Sequence, residues 1–263
     1  VSALDGKVIV IVGGTSGLGL SAAKAIVAAG GRVVAVGLED EHLASAETAL
    51  RAAGVVIGAD ATDAATASMA IARAVQEFGG CHGVYHVAGG TGRAFGDGPL
   101  HEISNAGWHR TLDLNLTSLF FSNRAAVWHF VERGGGGVVL NMTSVLAFSP
   151  SPRYFASHAY AAAKSAIIGF TKSCAAYYAP DAIRFNAIAP GLMETPMSQR
   201  AAGNDEIRAF ATAKQPLDGG RIGKVEDLDA AVVYLLSDAS RFVTGQVLSV
   251  DGGWSISEGQ PTW

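Results

Sequence analysis

The sequence predicts an α/β chain built on a doubly wound parallel sheet of about seven strands, with helices on both faces. Three observations carry that expectation. Short β-branched apolar runs alternate with longer alanine-rich stretches, the pattern of parallel strands buried beneath helices. A glycine loop at 13–19 separates the first apolar run from the first helical stretch. A length of 263 residues, 49% of them hydrophobic and 16% charged, gives ample apolar material for one large core.

In chain order the expected strands are Val8–Val12, Val33–Val36, Val55–Ala59, Gly83–Val87, Val138–Met142, Ile183–Ala189 and Val247–Val250. Between them, apolar residues recur at helical spacing, as in Leu112, Leu116, Leu119, Ala126 and Phe130, or Ile167, Ile168, Thr171 and Ala175. Right-handed crossovers would bring the ligand-bearing strand ends to one edge of the sheet. The run Gly134–Gly137 reads as a turn where a helix stops and a strand begins. No repeat or low-complexity linker divides the chain, so 1–263 is expected to form a single dinucleotide-binding and catalytic domain.

Composition narrows the function classes. A formal charge of -4, without a Lys/Arg-dense stripe, argues against nucleic acid or an anionic membrane as a main partner and leaves a small molecule. The two cysteines, Cys81 and Cys174, have no neighbouring sulfur or paired histidines, which fits a reducing, cytoplasmic setting. The remaining histidines His42, His82, His101, His109 and His129 are scattered, so no metal site is expected. The start Val1-Ser2-Ala3-Leu4-Asp5 lacks signal-peptide character and reads as a processed terminus, and no apolar run approaches the roughly 20 residues of a membrane span.

The loop Gly13-Gly14-Thr15-Ser16-Gly17-Leu18-Gly19 follows a strand and opens the helix Leu18–Ala29, so its amides and the helix N-terminus face one side, as a pyrophosphate site requires. Its spacing is Gly-x-x-x-Gly-x-Gly in place of the common Gly-x-Gly-x-x-Gly, and alone it is also compatible with a ligand-free turn. Tyr160 and Lys164, four residues apart, share one helix face. An ammonium there would stabilise a phenolate, whose ordinary pKa of roughly 10 is otherwise too high for a base near neutrality. An aromatic core contact beside a solvated lysine is the plain alternative. Tyr154, Tyr177 and Tyr178 have no lysine four residues on.

The glycine spacing, the Tyr-Lys pair and their separation resemble the short-chain dehydrogenase/reductase family, in its short single-domain branch. The likeness spans nearly the whole chain, through Gly58-Ala59-Asp60, Ala88-Gly89-Gly90, Leu114-Asn115-Leu116, Asn141-Met142-Thr143-Ser144, Asn186-Ala187-Ile188-Ala189-Pro190-Gly191, Thr195-Pro196-Met197 and Val250-Asp251-Gly252-Gly253. The resemblance implies a Rossmann fold and a catalytic tetrad of Asn115, Ser144, Tyr160 and Lys164. In it Ser144 would bond the substrate oxygen, and Tyr160 would exchange the proton as general acid or base. Lys164 would lower the phenol pKa and hold the nicotinamide ribose, and Asn115 would hold its helix open around a relay water. The cofactor would meet Gly13, Thr15, Ser16, Gly17, Leu18 and Gly19 at the loop, then Gly37 and Leu38. Beyond these it would meet Asp60 and Ala61, Ala88 and Gly89, Tyr160 and Lys164, Pro190 and Gly191, and Thr195. Asp60 also suits a strand-end turn.

Several positions depart from the family pattern. Val12 stands where threonine is common, and His86-Val87 replaces an asparagine pair, changes expected to alter loop hydrogen bonds. The segment between Ser144 and Tyr160 is about three residues longer than usual and is expected to extend the substrate pocket wall. Gly37 replaces the aspartate that commonly selects NAD. With no Arg or Lys at Thr15-Ser16 or 37–40, NAD is still preferred over NADP. Glu39 or Asp40 would serve the ribose or remain solvated.

Substrate selection is expected from the loops Gly90–Pro99, Leu146–His158 and Leu192–Gly220, the last long enough for a substrate-binding lid. Phe95, Phe148, Phe155, Leu192, Met193 and Met197 suggest a partly apolar cavity. Arg93, Arg153 and His158 are candidates for a polar or anionic substituent, with surface solvation the simpler reading. The function that follows is NAD(P)-dependent transfer of hydride between nicotinamide and a secondary alcohol or ketone. The alternative from another class is a dinucleotide-sensing binding protein without turnover; the epimerase branch normally requires a longer chain. The resemblance also implies a homotetramer, packed through the Asn115 and Tyr160 helices and the Val247–Val250 region.

Overall fold

Seven strands form one wholly parallel sheet in a computed structural model that describes residues 2–38 and 41–259. They are β1 (Val8–Val12), β2 (Arg32–Gly37), β3 (Gly54–Gly58), β4 (Gly83–His86), β5 (Gly137–Met142), β6 (Ile183–Pro190) and β7 (Val247–Val250). The order across the sheet is β3-β2-β1-β4-β5-β6-β7. Each expected strand is present, with ends displaced by at most one residue. The expectation that Glu39 or Asp40 meets a ribose lies outside the described residues.

Alternation along the strands builds two cores. In β1, Ile9 and Ile11 face one side with Ala22, Ala23 and Ile26 of α1 (Gly17–Ala28) and with Val232 and Leu235 of a late helix, Asp229–Leu236. Val8, Val10 and Val12 face the other side with Ala67, Ala70 and Ala74 of Thr66–Phe78, and with Ala126 and Phe130 of Ser118–Arg133. All five β1 side chains are buried, so the strand reads as a continuous apolar run because both faces are covered. Each such valine or isoleucine stabilises the fold by roughly 1.5–3 kcal/mol relative to exposure.

The turn at 134–136 joins the Ser118–Arg133 helix to β5 through three consecutive left-handed glycines, with φ of 71°, 80° and 77°. Side chains would be strained there, which explains the glycine run. Arg133 secures the turn by donating to the carbonyls of Cys81 (2.8 Å) and Gly136 (2.6 Å).

The reversal of strand order falls between β1 and β4, whose backbones nearly touch beyond their paired residues. Val87 and Ala88 both donate to the Val12 carbonyl, at 2.8 and 2.9 Å. Gly13 has φ of 90°, and a Cβ on it would lie 2.5 Å from Ala88 N. We therefore expect Gly13→Ala to lower stability by about 1–3 kcal/mol through left-handed strain and backbone collision. Chemical denaturation of the variant beside the parent checks this; an unchanged midpoint would contradict the close approach.

Candidate active site

The C-terminal ends of β1 to β6 open onto a cleft of about 490 Å³. Its walls contain Gly13, Thr15, Ser16, Gly17 and Leu18 from the glycine loop, and Gly37 and Leu38 beyond β2. Asp60, Ala61, Ala88 and Gly89 contribute from β3 and β4, and Pro190, Gly191 and Thr195 from the β6 side. Ser144, Tyr160 and Lys164 complete the opposite part of the wall. Gly19 is not on the surface of the cleft. It packs α1 against the loop so closely that a Cβ would collide with the Gly13 carbonyl.

Tyr160 and Lys164 lie in the first turns of a helix, His158–Tyr178, with the ammonium nitrogen 5.5 Å from the phenol ring centre. The start of that helix is held by a residue the sequence did not single out. Buried Asp97 accepts from Ala159 N (3.0 Å) and Tyr160 N (2.9 Å), capping the helix from the β4 loop. Ser144 follows β5 directly, and its hydroxyl accepts from Leu146 N at 3.2 Å. Lys164 is almost wholly buried; its ammonium donates to the Met142 carbonyl (3.1 Å), while Thr143 Oγ1 donates to the Lys164 carbonyl (2.7 Å).

Asn115 sits within a π-helical turn, Asp113–Thr117, between Asn105–Leu112 and Ser118–Arg133. Its amide donates to the carbonyls of Gly90 and Thr111, both at 2.9 Å, and its Oδ1 accepts from Gly90 N at 3.1 Å. Asn115 thus spans the widened turn and the β4 loop together. A Cβ at Gly89 would come 2.7 Å from Asn115 Oδ1 and 3.3 Å from Lys164 Nζ, so this glycine lets the three elements converge.

Electrostatics correct one expectation. Burial raises the Tyr160 phenol above its ordinary value, with the Ser144 hydroxyl opposing the shift. Lys164 does not hold the phenol low in this arrangement: burial pushes the ammonium itself down to about 8. Both charged forms are disfavoured by the same dry wall.

The departures from the family pattern have local explanations. His86 is fully buried and bridges Ser122 Oγ (2.9 Å) and Ser118 Oγ (3.3 Å), tying β4 to the helix after the π turn. Burial pushes its imidazole down to about 3, so it is neutral. At Gly37, a Cβ would collide with Thr15 Oγ1, so the buried Thr15 side chain fills space an acidic residue would need. Asp60 lines the cleft and also shapes a turn, accepting from Thr62 N and Oγ1 at 2.8 Å each.

The apolar end of the cleft differs in membership from the sequence reading. Phe155, Leu192, Met193 and Met197 line it, but Phe95 and Phe148 do not and are exposed. Phe95 instead lies under the Arg110 guanidinium, 5.4 Å away. Trp254 takes part: it is buried edge-on against Phe155 and donates to the Ser149 carbonyl at 3.3 Å, bracing the long Ser144–Tyr160 segment. Buried Gln215 bonds Leu192 N and O, at 2.5 and 3.2 Å, and fixes the wall beyond Gly191. Arg153 pairs with Glu206 and His158 meets the Gly98 carbonyl (2.8 Å); neither is on the main cleft. Among the described residues no cluster of metal-ligating side chains occurs, and no helix is long and apolar enough to cross a membrane.

A parallel sheet with a glycine loop at its switch point, and a Ser-Tyr-Lys wall facing it, defines a dinucleotide-binding α/β protein. The family model described as enoyl-(acyl carrier protein) reductase matches residues 12–255. The chain is 38% identical to 2-(S)-hydroxypropyl-CoM dehydrogenase 3 of Xanthobacter autotrophicus, over 95% of this chain and 97% of that protein. It is 33% identical to cis-4-hydroxycyclohexanecarboxylate dehydrogenase of Sinomonas cyclohexanicum, over 95% and 96%. A solved short-chain dehydrogenase/reductase from Mycobacterium ulcerans superposes with a TM-score of 0.88 at 32% identity, over 97% of this chain and 92% of that one. The chain belongs to the short-chain dehydrogenase/reductase family, as an oxidoreductase related to dehydrogenases of alcohols. Membership implies a nicotinamide dinucleotide, and the small-residue cradle at Gly13, Gly17 and Gly89 fits such a group.

The depressed Lys164 value carries a stability consequence. Below about pH 8 both folded and unfolded chains hold the proton, so the cost of burying the charge is fully present. Between about 8 and the ordinary 10.5 the folded chain releases the proton while the unfolded one keeps it, and stability from this group rises with pH. We expect Lys164→Met to be more stable than the parent at pH 7, with the gap narrowing toward pH 10. Denaturant midpoints of both proteins across that range check it; a constant gap would sink the burial argument.

Proposed function

We propose that this chain is an NAD(H)-dependent dehydrogenase of secondary alcohols, working reversibly with the corresponding ketones, in which Tyr160 is the general acid and base. The observation that carries the reading is the convergence of Ser144, Tyr160 and Lys164 on one wall of the cleft that begins at the glycine loop. The relatives support the substrate class, since their names place the reacting hydroxyl on a propyl C2 or a cyclohexane ring carbon.

Bound nicotinamide dinucleotide supplies the site for hydride and, when oxidised, a positive charge. The chain's own groups manage the proton and the geometry. Ser144 Oγ donates to the substrate oxygen and holds it beside the phenol. Tyr160 gives its proton to that oxygen as a ketone is reduced, or takes it as an alcohol is oxidised. The raised phenol keeps Tyr160 protonated at neutral pH, ready to donate. Lys164 holds positive charge beside the ring and would hold the nucleotide ribose, and Asn115 keeps the β4 loop in register with the π turn.

NAD is preferred because, among the described residues, the cations on the cleft wall are Arg93, Arg110, Lys164 and Arg200, and none comes from the glycine loop or the end of β2, where a 2′-phosphate would lie. Exposed Phe120 and Trp128 flank Arg124, whose guanidinium lies 4.9 and 5.1 Å from their rings. With the family resemblance, this face supports a homotetramer, for which sedimentation should give four copies; a monomer alone would remove that reading.

The decisive measurement follows nicotinamide absorbance over a panel of secondary alcohols and ketones, with NAD and NADP supplied separately. Tyr160→Phe should reduce turnover by about 10²–10⁴-fold while leaving nucleotide affinity nearly intact. Retained turnover would overturn the role given to the phenol, and tight NAD binding with no Tyr160-dependent turnover on any substrate would favour a nucleotide sensor.

A further inference from the structure

We propose that Arg93 and Arg200 form a subsite for an anionic group, a carboxylate, sulfonate or phosphate carried by the substrate away from the reacting carbon. This deepens the dehydrogenase reading and rests on it. Arg93 comes from a short turn, Gly92–Phe95, in the β4 loop, and Arg200 from Gln199–Ala202 in the segment after β6. Each donates Nη2 to the same acceptor, the Tyr154 carbonyl, at 3.2 Å.

Their charge is not balanced in the usual way. Arg153, Arg208 and Arg221 each pair with a carboxylate, but no ion pair to Arg93 or Arg200 occurs among the described residues. The nearby acids are already engaged. Glu206 meets Arg153 and the Tyr154 hydroxyl, and both oxygens of Asp97 hold the amides of Ala159 and Tyr160. Asp97 offsets the pair only in part: burial and the charge of Arg200 together lower Arg93 below its ordinary value. Two guanidiniums held on one carbonyl retain several free N–H donors, the geometry that a carboxylate or oxyanion satisfies by forked hydrogen bonds.

Placement connects the pair to the chemistry. Both arginines line the cleft that contains Ser144 and Tyr160, and both also line an adjoining hollow of about 450 Å³ whose other charged residues, Arg153 and Glu206, are paired with each other. A substrate with its carbinol at Tyr160 and its far end between the two spaces would meet the pair. Tyr154 lies in the long segment before Tyr160, which assigns the subsite to the substrate side of the cleft and not to the β2 side of the nucleotide.

The test has a turnover arm and a binding arm. In the first, 4-hydroxypentanoate is compared with its neutral amide in the parent, in Arg93→Met/Arg200→Met, and in Arg208→Met, an arginine away from both spaces, as a control. The parent should prefer the acid by at least about tenfold in kcat/KM, mainly through KM, and the double variant should lose about 100-fold on the acid with less than about threefold change on the amide. The control should behave as the parent. In the second arm, calorimetry with NAD present should show 1-butanesulfonate or butyrate binding to the parent, butyramide binding far more weakly, and the anions lost from the double variant. Arg200→Lys, which keeps the charge but not the fork, should be intermediate, and serves if the double variant melts early.

Equal losses on acid and amide would overturn the subsite and leave the arginines as a strap on Tyr154. A fall in NAD affinity in the double variant would overturn it by giving them to the nucleotide. Turnover of neutral alcohols that depends on Tyr160, with no preference for acids and no butanesulfonate binding, would remove the subsite but keep the dehydrogenase. Arginine-dependent butanesulfonate binding without turnover of any alcohol would support the anion site while removing the reaction.

Discussion

The approach of the β1 and β4 ends is the constraint on which the site depends. Parallel strands can place ligand groups together only where neighbouring crossovers leave in opposite directions, and here that point is the contact between Gly13 and Ala88. The Val12 carbonyl receives two amides from the β4 side, which fixes the glycine loop against the segment carrying Gly89. Gly89 in turn admits Asn115 and Lys164. The glycine loop and the Ser144-Tyr160-Lys164 wall are therefore mechanically joined through a few small residues, and bulk at any of them would separate the halves.

The wall itself is electrostatically costly. A lysine buried in it and a phenol raised by the same burial are each disfavoured in the charged form. The Met142 carbonyl compensates the ammonium in part, and Asp97 steadies the amides at the start of the tyrosine helix. The result is a pair of groups whose protonation answers to whatever charge is brought beside them. Such responsiveness suits proton exchange and is paid for by the extensive packed sheet below, where β1 and its neighbours are buried on both faces.

Much of this was legible in the chain. The strands could be bounded within a residue because β-branched runs end at glycine, proline or polar turn residues, and both faces of the sheet are covered. Tyr160 and Lys164 announced themselves by helical spacing, and the glycine loop by its place between strand and helix. The apolar lining was less legible. Phe95 and Phe148 lie in loops with no periodicity to orient them, and both turned outward, while Trp254 arrived from far along the chain. Asp97 and Gln215 carried no local signal either, since Asp97 acts on amides 62 and 63 residues away and Gln215 on the backbone of Leu192, 23 residues away.

The sequence by itself determined the parallel sheet, the order of its elements and the residue types needed for a dinucleotide cradle and a tyrosine-lysine pair, because these rest on local periodicity and spacing. Only the tertiary structure decided which loop residues face the cleft, that Thr15 occupies the room beside Gly37, that Lys164 is buried deeply enough to lose affinity for its proton, and that Arg93 and Arg200 meet on one carbonyl. Those outcomes depend on distances between segments remote in the chain, which no local pattern encodes.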